Sequence, residues 1–303
     1  MIFNAKLIEL KTKDGLLLPG AFFEPKRKTK KVAIFLHGNG SSSIFYALNS
    51  VQELANELNA KGISYLAFNN RGAGYAVKVT KIKGAKEERV PAGTAYELIK
   101  ECVYDIDAAI AFLEDLGYRE FYLIGMSTGA NKICVYNYYK PKNSISKCVL
   151  VSGGDDSGIY HDQLGKKAFK EILRKAKQKI KNGKGIELVP RELVPGTYSW
   201  QSIYDTLNPD GDYNTFPFND YLNKLKLSSK PLFRHYRKIQ KPILVVYGDQ
   251  DEYCYGRVSQ IMQLLKEQAA KPEEFSFTII KGANHGFTGK EKDLNSSIAN
   301  WLS

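Results

Sequence analysis

Ser127, Asp251 and His285 each follow an apolar run and a glycine-bearing turn, in that order along a 303-residue chain. Ser127 lies in Gly125-Met126-Ser127-Thr128-Gly129, after Phe121-Tyr122-Leu123-Ile124 and before a helical stretch from Ala130 to Tyr139. A serine at such a strand-to-helix turn is held in a strained conformation, and small residues two places either side let neighbouring backbone pass close by. Its hydroxyl is a weak nucleophile near neutral pH, so it needs a base, and the base needs an orienting acid. Of the four histidines, His37 precedes a glycine turn, and His161 and His235 fall in or beside a long insertion. His285, in Asn284-His285-Gly286, follows the strand-like Phe275 to Ile280, which puts it on the same sheet edge as Ser127. The preferred acid is Asp251, in Gly248-Asp249-Gln250-Asp251, with Asp249 as its competitor nearer the strand end. Together they point to acyl transfer through a covalent intermediate.

That chemistry also needs an oxyanion site. His37-Gly38-Asn39-Gly40 follows the apolar Val32 to Leu36, and its glycines let backbone N–H groups turn towards a developing oxyanion. The expected donors are the backbone N–H groups of Asn39 and Thr128. His37 reads as a support for that loop, and Arg71 as a residue pinning its own loop through backbone hydrogen bonds. His37, Arg71, Met126 and Trp200 are the candidate pocket residues. Asp155 and Asp156 read as the start of a turn or helix rather than as substrate contacts. The aromatic residues Tyr198, Trp200, Tyr204, Tyr213, Phe216 and Phe218 suit either an acyl or aryl pocket or a small core of their own.

The elements that must position these residues alternate. Residues 2–10 and 15–23 read as paired strands. Val32 to Leu36, Ile63 to Phe68, 120–124, 147–152, 243–247 and 275–280 are short apolar runs, as expected of strands covered on both faces. Helices are expected over 43–60, 130–140, 257–269 and 289–302. Another is expected to open on the capping box Thr94-Ala95-Tyr96-Glu97 and to bury Leu98, Cys102, Val103, Ile106, Ile110 and Leu113. The segment between Phe68 and Thr94 reads as a basic excursion. This alternation predicts an α/β fold, a mostly parallel twisted sheet of about eight strands with helices on both faces. Residues 155–238 break the pattern. They hold one amphipathic helix and a stretch rich in proline, glycine and aromatic residues, too long for bare loop. The expected organisation is a core of 1–154 and 239–303 with a mainly helical cap, or lid, of 155–238.

The motifs at 37–40, Asn70-Arg71-Gly72-Ala73-Gly74, 125–129, 248–251 and 284–286 together resemble the α/β-hydrolase superfamily over nearly the whole chain. The resemblance implies the α/β-hydrolase fold, with Ser127 as nucleophile, Asp251 as acid, His285 as base and Asn39 with Thr128 as the oxyanion hole. The chain departs at Met126, where many members carry histidine. More loosely, Ser127 to Lys132 and Ser199 to Phe218 look similar to a branch that includes fungal siderophore esterases.

Composition narrows the reading further. With 43% apolar and 25% charged residues the chain has the balance of a soluble globular protein. No apolar run is long enough to span a membrane, and the first residues lack the pattern of a signal peptide. The four cysteines form no CxxC pair, which points to a reducing compartment, the cytoplasm, and away from a disulfide frame or a metal site. The net charge of +12 lies mostly in runs without a nucleic-acid motif. It reads as solvated surface, with no nucleic-acid partner and a preference for anionic substrates left open. No dinucleotide fingerprint or phosphate loop is present, so no cofactor is expected. The function expected is that of a serine esterase acting on a small-molecule ester, with oligomeric state open. Amide or thioester hydrolysis and acyl transfer share the same intermediate, and a non-catalytic ligand-binding protein on the same fold is the alternative of another class.

Overall fold

Val32 to Leu36, Phe121 to Ile124 and Ile243 to Tyr247 are apolar at every position, and a strand of that kind is stable only with both faces covered. The computed structural model, which describes residues 4–40 and 42–303, places all three inside one eight-stranded sheet, each with a strand on either side. Its strands are β1 (Lys6–Lys11), β2 (Leu17–Phe23), β3 (Lys31–Leu36) and β4 (Ser64–Phe68), then β7 (Glu120–Met126), β8 (Ile145–Val151), β9 (Ile243–Gly248) and β10 (Phe275–Ile280). They are ordered β1-β2-β4-β3-β7-β8-β9-β10. β1 pairs antiparallel with β2, and β2 with β4; every later pairing is parallel. The expected start of the first strand at residues 2–3 lies outside the described residues.

The two-residue period of a strand sorts side chains between two cores. Val32, Ile34 and Leu36 of β3, with Phe121 and Leu123 of β7, face the layer of α2 (Cys102–Asp115), α3 (Thr128–Tyr139) and α7 (Val258–Gln268). Ala33, Tyr122 and Ile124 face α1 (Leu48–Ala60) and α8 (Glu291–Leu302) on the other side. The fold is thus α/β, with the expected sheet.

Several local expectations are corrected. The basic excursion is a hairpin, β5 (Val77–Lys83) and β6 (Lys86–Ala92), whose Val79 and Val90 pack against the main core while its lysines face water. The capping box does not cap. Thr94 Oγ1 instead donates to the carbonyls of Gly40 and Gly72, Glu97 is taken by Lys132, and α2 begins only after a 3-10 turn at Ile99–Glu101. The helix expected from residue 43 is a 3-10 turn, Ile44–Tyr46, followed by α1.

Between β8 and β9 the chain forms α4 (Asp156–Lys181), α5 (Trp200–Leu207) and α6 (Phe218–Asn223). Gly165, at φ 73° and ψ 155°, breaks α4 into two helical runs. Phe169, Ile172 and Ala176 of α4 bury against Trp200, Ile203 and Leu207 of α5 in a core separate from the sheet. The later part behaves otherwise. Tyr213, Phe216, Phe218, Phe233, Tyr236 and Ile239 belong to the main core beneath the sheet.

Candidate active site

Ser127 sits at φ 54° and ψ −126°, a left-handed backbone region that a residue with a Cβ enters only under constraint. Two glycines supply the constraint. A Cβ at Gly125 would lie 2.3 Å from the Gly129 carbonyl oxygen, and one at Gly129 would lie 1.9 Å from that of Leu36. The turn between β7 and α3 is therefore as tight as the backbone allows, and Ser127 Oγ is pushed out above the sheet edge.

The three chemistry-bearing residues come together there. His285 Nε2 is 3.0 Å from Ser127 Oγ, and His285 Nδ1 lies 3.0 Å from Asp251 Oδ2 and 3.1 Å from Oδ1. Asp251 is buried, so its acceptor is not diluted by water. The backbone N–H of His285 donates to Glu252 Oε2 at 3.0 Å, and the Tyr253 ring meets the imidazole edge-on at 4.7 Å. Asp249 is engaged elsewhere, accepting from Gly282 N–H at 2.6 Å.

The loop after β3 runs beside the serine, for a Cβ at Gly38 would stand 2.9 Å from Ser127 Cβ. Next along it, the backbone N–H of Asn39 makes no hydrogen bond among the described residues, and neither does that of Thr128. Thr128 opens α3, so its N–H has no helical partner and lies at the positive end of the helix dipole. The Asn39 side chain donates to the Tyr213 hydroxyl, which ties the loop to the insertion.

His37 holds this loop from below. Its Nδ1 donates to the Gly38 carbonyl at 2.8 Å and its Nε2 accepts from Asn70 N–H at 3.1 Å. Burial first, and nearby Lys132 second, push its pKa down to about 3, so it stays neutral. Lys132 is fully buried, paired with Glu97 Oε1 at 2.6 Å and donating to Asn70 Oδ1 at 2.6 Å. No sequence signal singled out this pair.

A cavity of about 620 Å³ opens on Ser127 and His285 and is also lined by His37, Asn39, Met126 and Thr128. Two expected pocket residues lie elsewhere. Trp200 is in the small core of α4 and α5, with Lys179 over its ring. Arg71 is clamped by Asp14, Glu101 and Asp105, with bonds of 2.8–3.1 Å to each, and its backbone N–H also donates to Asp105. Carboxylates, not backbone carbonyls, pin it. Its guanidinium fork satisfied that need better than loop carbonyls would.

The cavity also has a second wall, of which the sequence had marked only Asp156 and Tyr198. Asp156, Tyr160, Gln163, Tyr198 and Tyr253 form a polar side under α4. Asp155 caps α4, accepting from Gly158 N–H at 2.8 Å and Asn219 N–H at 2.7 Å, whereas Asp156 Oδ2 has no partner among the described residues. Burial pushes the Asp156 carboxyl up to about 6. The aspartate pair was visible in the sequence, but which member faced the cavity depended on how α4 starts. Among the described residues no cluster of three His, Cys, Asp or Glu is placed to hold a metal, and no helix is long and apolar enough to cross a membrane.

Known proteins add a family and a fold. The model of the family described as serine aminopeptidase, S33 (Hydrolase_4) matches residues 27–293. No curated protein sequence matches the chain. Among solved structures, the ferulic acid complex of Est1E from Butyrivibrio proteoclasticus superposes with a TM-score of 0.64 at 15% identity, covering 97% of each chain. An alpha/beta hydrolase of Penicillium sp. sh18, GrgF, gives 0.64 at 14% identity over 99% of this chain and 98% of its own. The Pyrococcus furiosus esterase gives 0.56 at 17% identity over 99% and 92%. At these identities the likeness is one of fold.

Proposed function

The chain belongs to the serine aminopeptidase S33 family of hydrolases, and on that premise we propose that it cleaves carboxylic esters through a Ser127–His285–Asp251 triad. The observation that carries this reading is the hydrogen-bonded line from Asp251 through His285 to a strained Ser127, ending beside two unpartnered N–H groups. Ser127 Oγ attacks the ester carbonyl carbon while His285 Nε2 takes its proton. Asp251 holds Nδ1–H and stabilises the imidazolium. The carbonyl oxygen, now an oxyanion, accepts from the N–H groups of Asn39 and Thr128. His285 returns the proton to the departing alcohol, leaving an acyl-enzyme. A water that gives its proton to His285 Nε2 then attacks the acyl carbon, and as the carbon–Oγ bond breaks His285 returns the proton to Ser127 Oγ and the acid leaves.

Esterases among the similar folds favour the ester as substrate. Four buried free thiols support a reducing compartment, the cytoplasm. The family description supports a second reading, hydrolysis of an amide next to a free amino group, and Asp156 favours it. Its Oδ2, without a partner among the described residues, would accept from a substrate ammonium. Rates on p-nitrophenyl esters against aminoacyl p-nitroanilides separate the two. The decisive experiment is labelling by a fluorophosphonate probe: wild type is labelled and Ser127→Ala is not. Folded wild type that stays unlabelled overturns the hydrolase mechanism.

A further inference from the structure

The cavity lining continues from Ser127 onto the α1/α8 side of the sheet. Helix α1 and the residue before it give Ala47, Ser50, Val51 and Leu54 to its wall. Helix α8 gives Glu291, Leu294, Asn295 and Ile298. Each set is spaced i, i+3, i+4, i+7, one stripe of a helix over two turns. The two helices pack against each other and the same sheet face, so the stripes form opposite walls of one slot. Tyr65, Ile124 and Val151 form its floor on the sheet. Leu54 and Ile298, the lining residues furthest along the two stripes, are buried, as is Tyr65, and they set the far end of the slot.

We infer that this slot is the acyl-binding site and that the enzyme prefers esters of aliphatic acids about six to ten carbons long; this rests on the ester hydrolase reading. A stripe from Ala47 to Leu54, or from Glu291 to Ile298, runs about 10 Å at 1.5 Å per residue. An extended chain advances about 1.2 Å per bond, so about eight bonds fill that depth. The slot opens where Met126 and Ser127 meet the cavity, so the carbonyl of a seated chain lies at the nucleophile. Below the rim residue Glu291 the polar groups on the wall are the Ser50 hydroxyl, the Asn295 amide and the Tyr65 hydroxyl, all neutral and without side-chain hydrogen bonds among the described residues. Nothing there holds an ionised tail, whereas the polar side with Asp156 and Tyr160 is left for the alcohol.

The test is the dependence of kcat/KM on acyl length, using p-nitrophenyl esters from acetate to palmitate. Burial favours each methylene by up to about fourfold. Wild type should gain at least about tenfold from acetate to octanoate and lose it again by palmitate. Ile298→Trp and the milder Leu54→Phe narrow the far end, and each should cut the octanoate-to-acetate ratio by about tenfold or more. The ratio is read within one variant, and a thermal melt establishes which variants are folded. An enzyme that labels with fluorophosphonate and turns over acetate but gains nothing with length overturns the slot alone. So does an unchanged ratio in either folded variant. Absent labelling overturns the hydrolase reading itself, and the slot with it.

Discussion

Asp251→Asn keeps the volume of the acid but replaces one carboxylate oxygen by an NH2 donor and removes the charge that fixes the His285 tautomer and stabilises its cation. Turnover should fall by roughly 10³–10⁴ with KM little changed, while Asp249→Asn should cost less than about tenfold, because that carboxylate only holds Gly282 N–H. Steady-state kinetics on one short ester checks both, and equal losses would unseat Asp251. The sequence preferred Asp251 to Asp249 from its place in the turn after Gly248, and the structure puts Asp251 against His285 and Asp249 against Gly282. Asp156 was legible only in part, and its burial gives a pH signature. Its carboxyl is raised from 3.8 to about 6 in the folded chain, so the native state binds that proton more tightly than the unfolded one. Its contribution to stability is whole below about pH 4 and is lost as pH climbs through about 6. Asp156→Asn cannot ionise, so its stability relative to wild type should grow between pH 4 and pH 8 by about 1–3 kcal/mol. Urea unfolding at the two pH values measures this, and a pH-independent difference would mean that the carboxyl is solvated.

At the scale of elements, the alternation of apolar runs and amphipathic stretches was enough to set out the sheet, because a parallel strand buried on both faces has few other sequences to use. What failed were signals whose side chains were drawn into tertiary work. Thr94 and Glu97 have the spacing of a cap, yet the oxyanion-side loop and Lys132 compete for them and win. Lys132 and Glu97 thereby couple α3, which carries the serine at its start, to the turn before α2. Gly72 leaves room for this, since a Cβ there would lie 2.1 Å from Glu97 Oε2. A buried pair of this kind is costly to break from one side. Lys132→Met should destabilise by about 3–5 kcal/mol because Glu97 is left charged and alone, and Lys132→Met with Glu97→Leu should recover most of the loss. Chemical denaturation of the two variants decides it. If the double variant is as unstable as the single one, the lysine stem, rather than the unpaired charge, sets the cost.

For the whole molecule the question is whether residues 155–238 are a separable lid. Their composition reads as one block, and the sequence carries no mark of the point where packing changes allegiance, since aromatic residues serve both halves. The structure divides them. The α4–α5 part has its own apolar core around Trp200 and Ile203, whereas Phe233 and Tyr236 sit fully buried with the helices under the sheet, and the Tyr236 hydroxyl donates to the Leu265 carbonyl of α7 at 3.0 Å. The later half therefore completes the main core and cannot leave it without exposing α3 and α7. Phe233→Ala should cost about 3–5 kcal/mol of global stability, as for a large core side chain. Trp200→Ala removes a comparable side chain from the α4–α5 core, so its loss should appear first in that region. Hydrogen exchange separates the two outcomes: Phe233→Ala should raise exchange in β7 and α3 together with the insertion, while Trp200→Ala should raise it in α4 and α5 and leave the central strands protected. Should Phe233→Ala loosen only residues 155–238, the second half would be part of the lid after all.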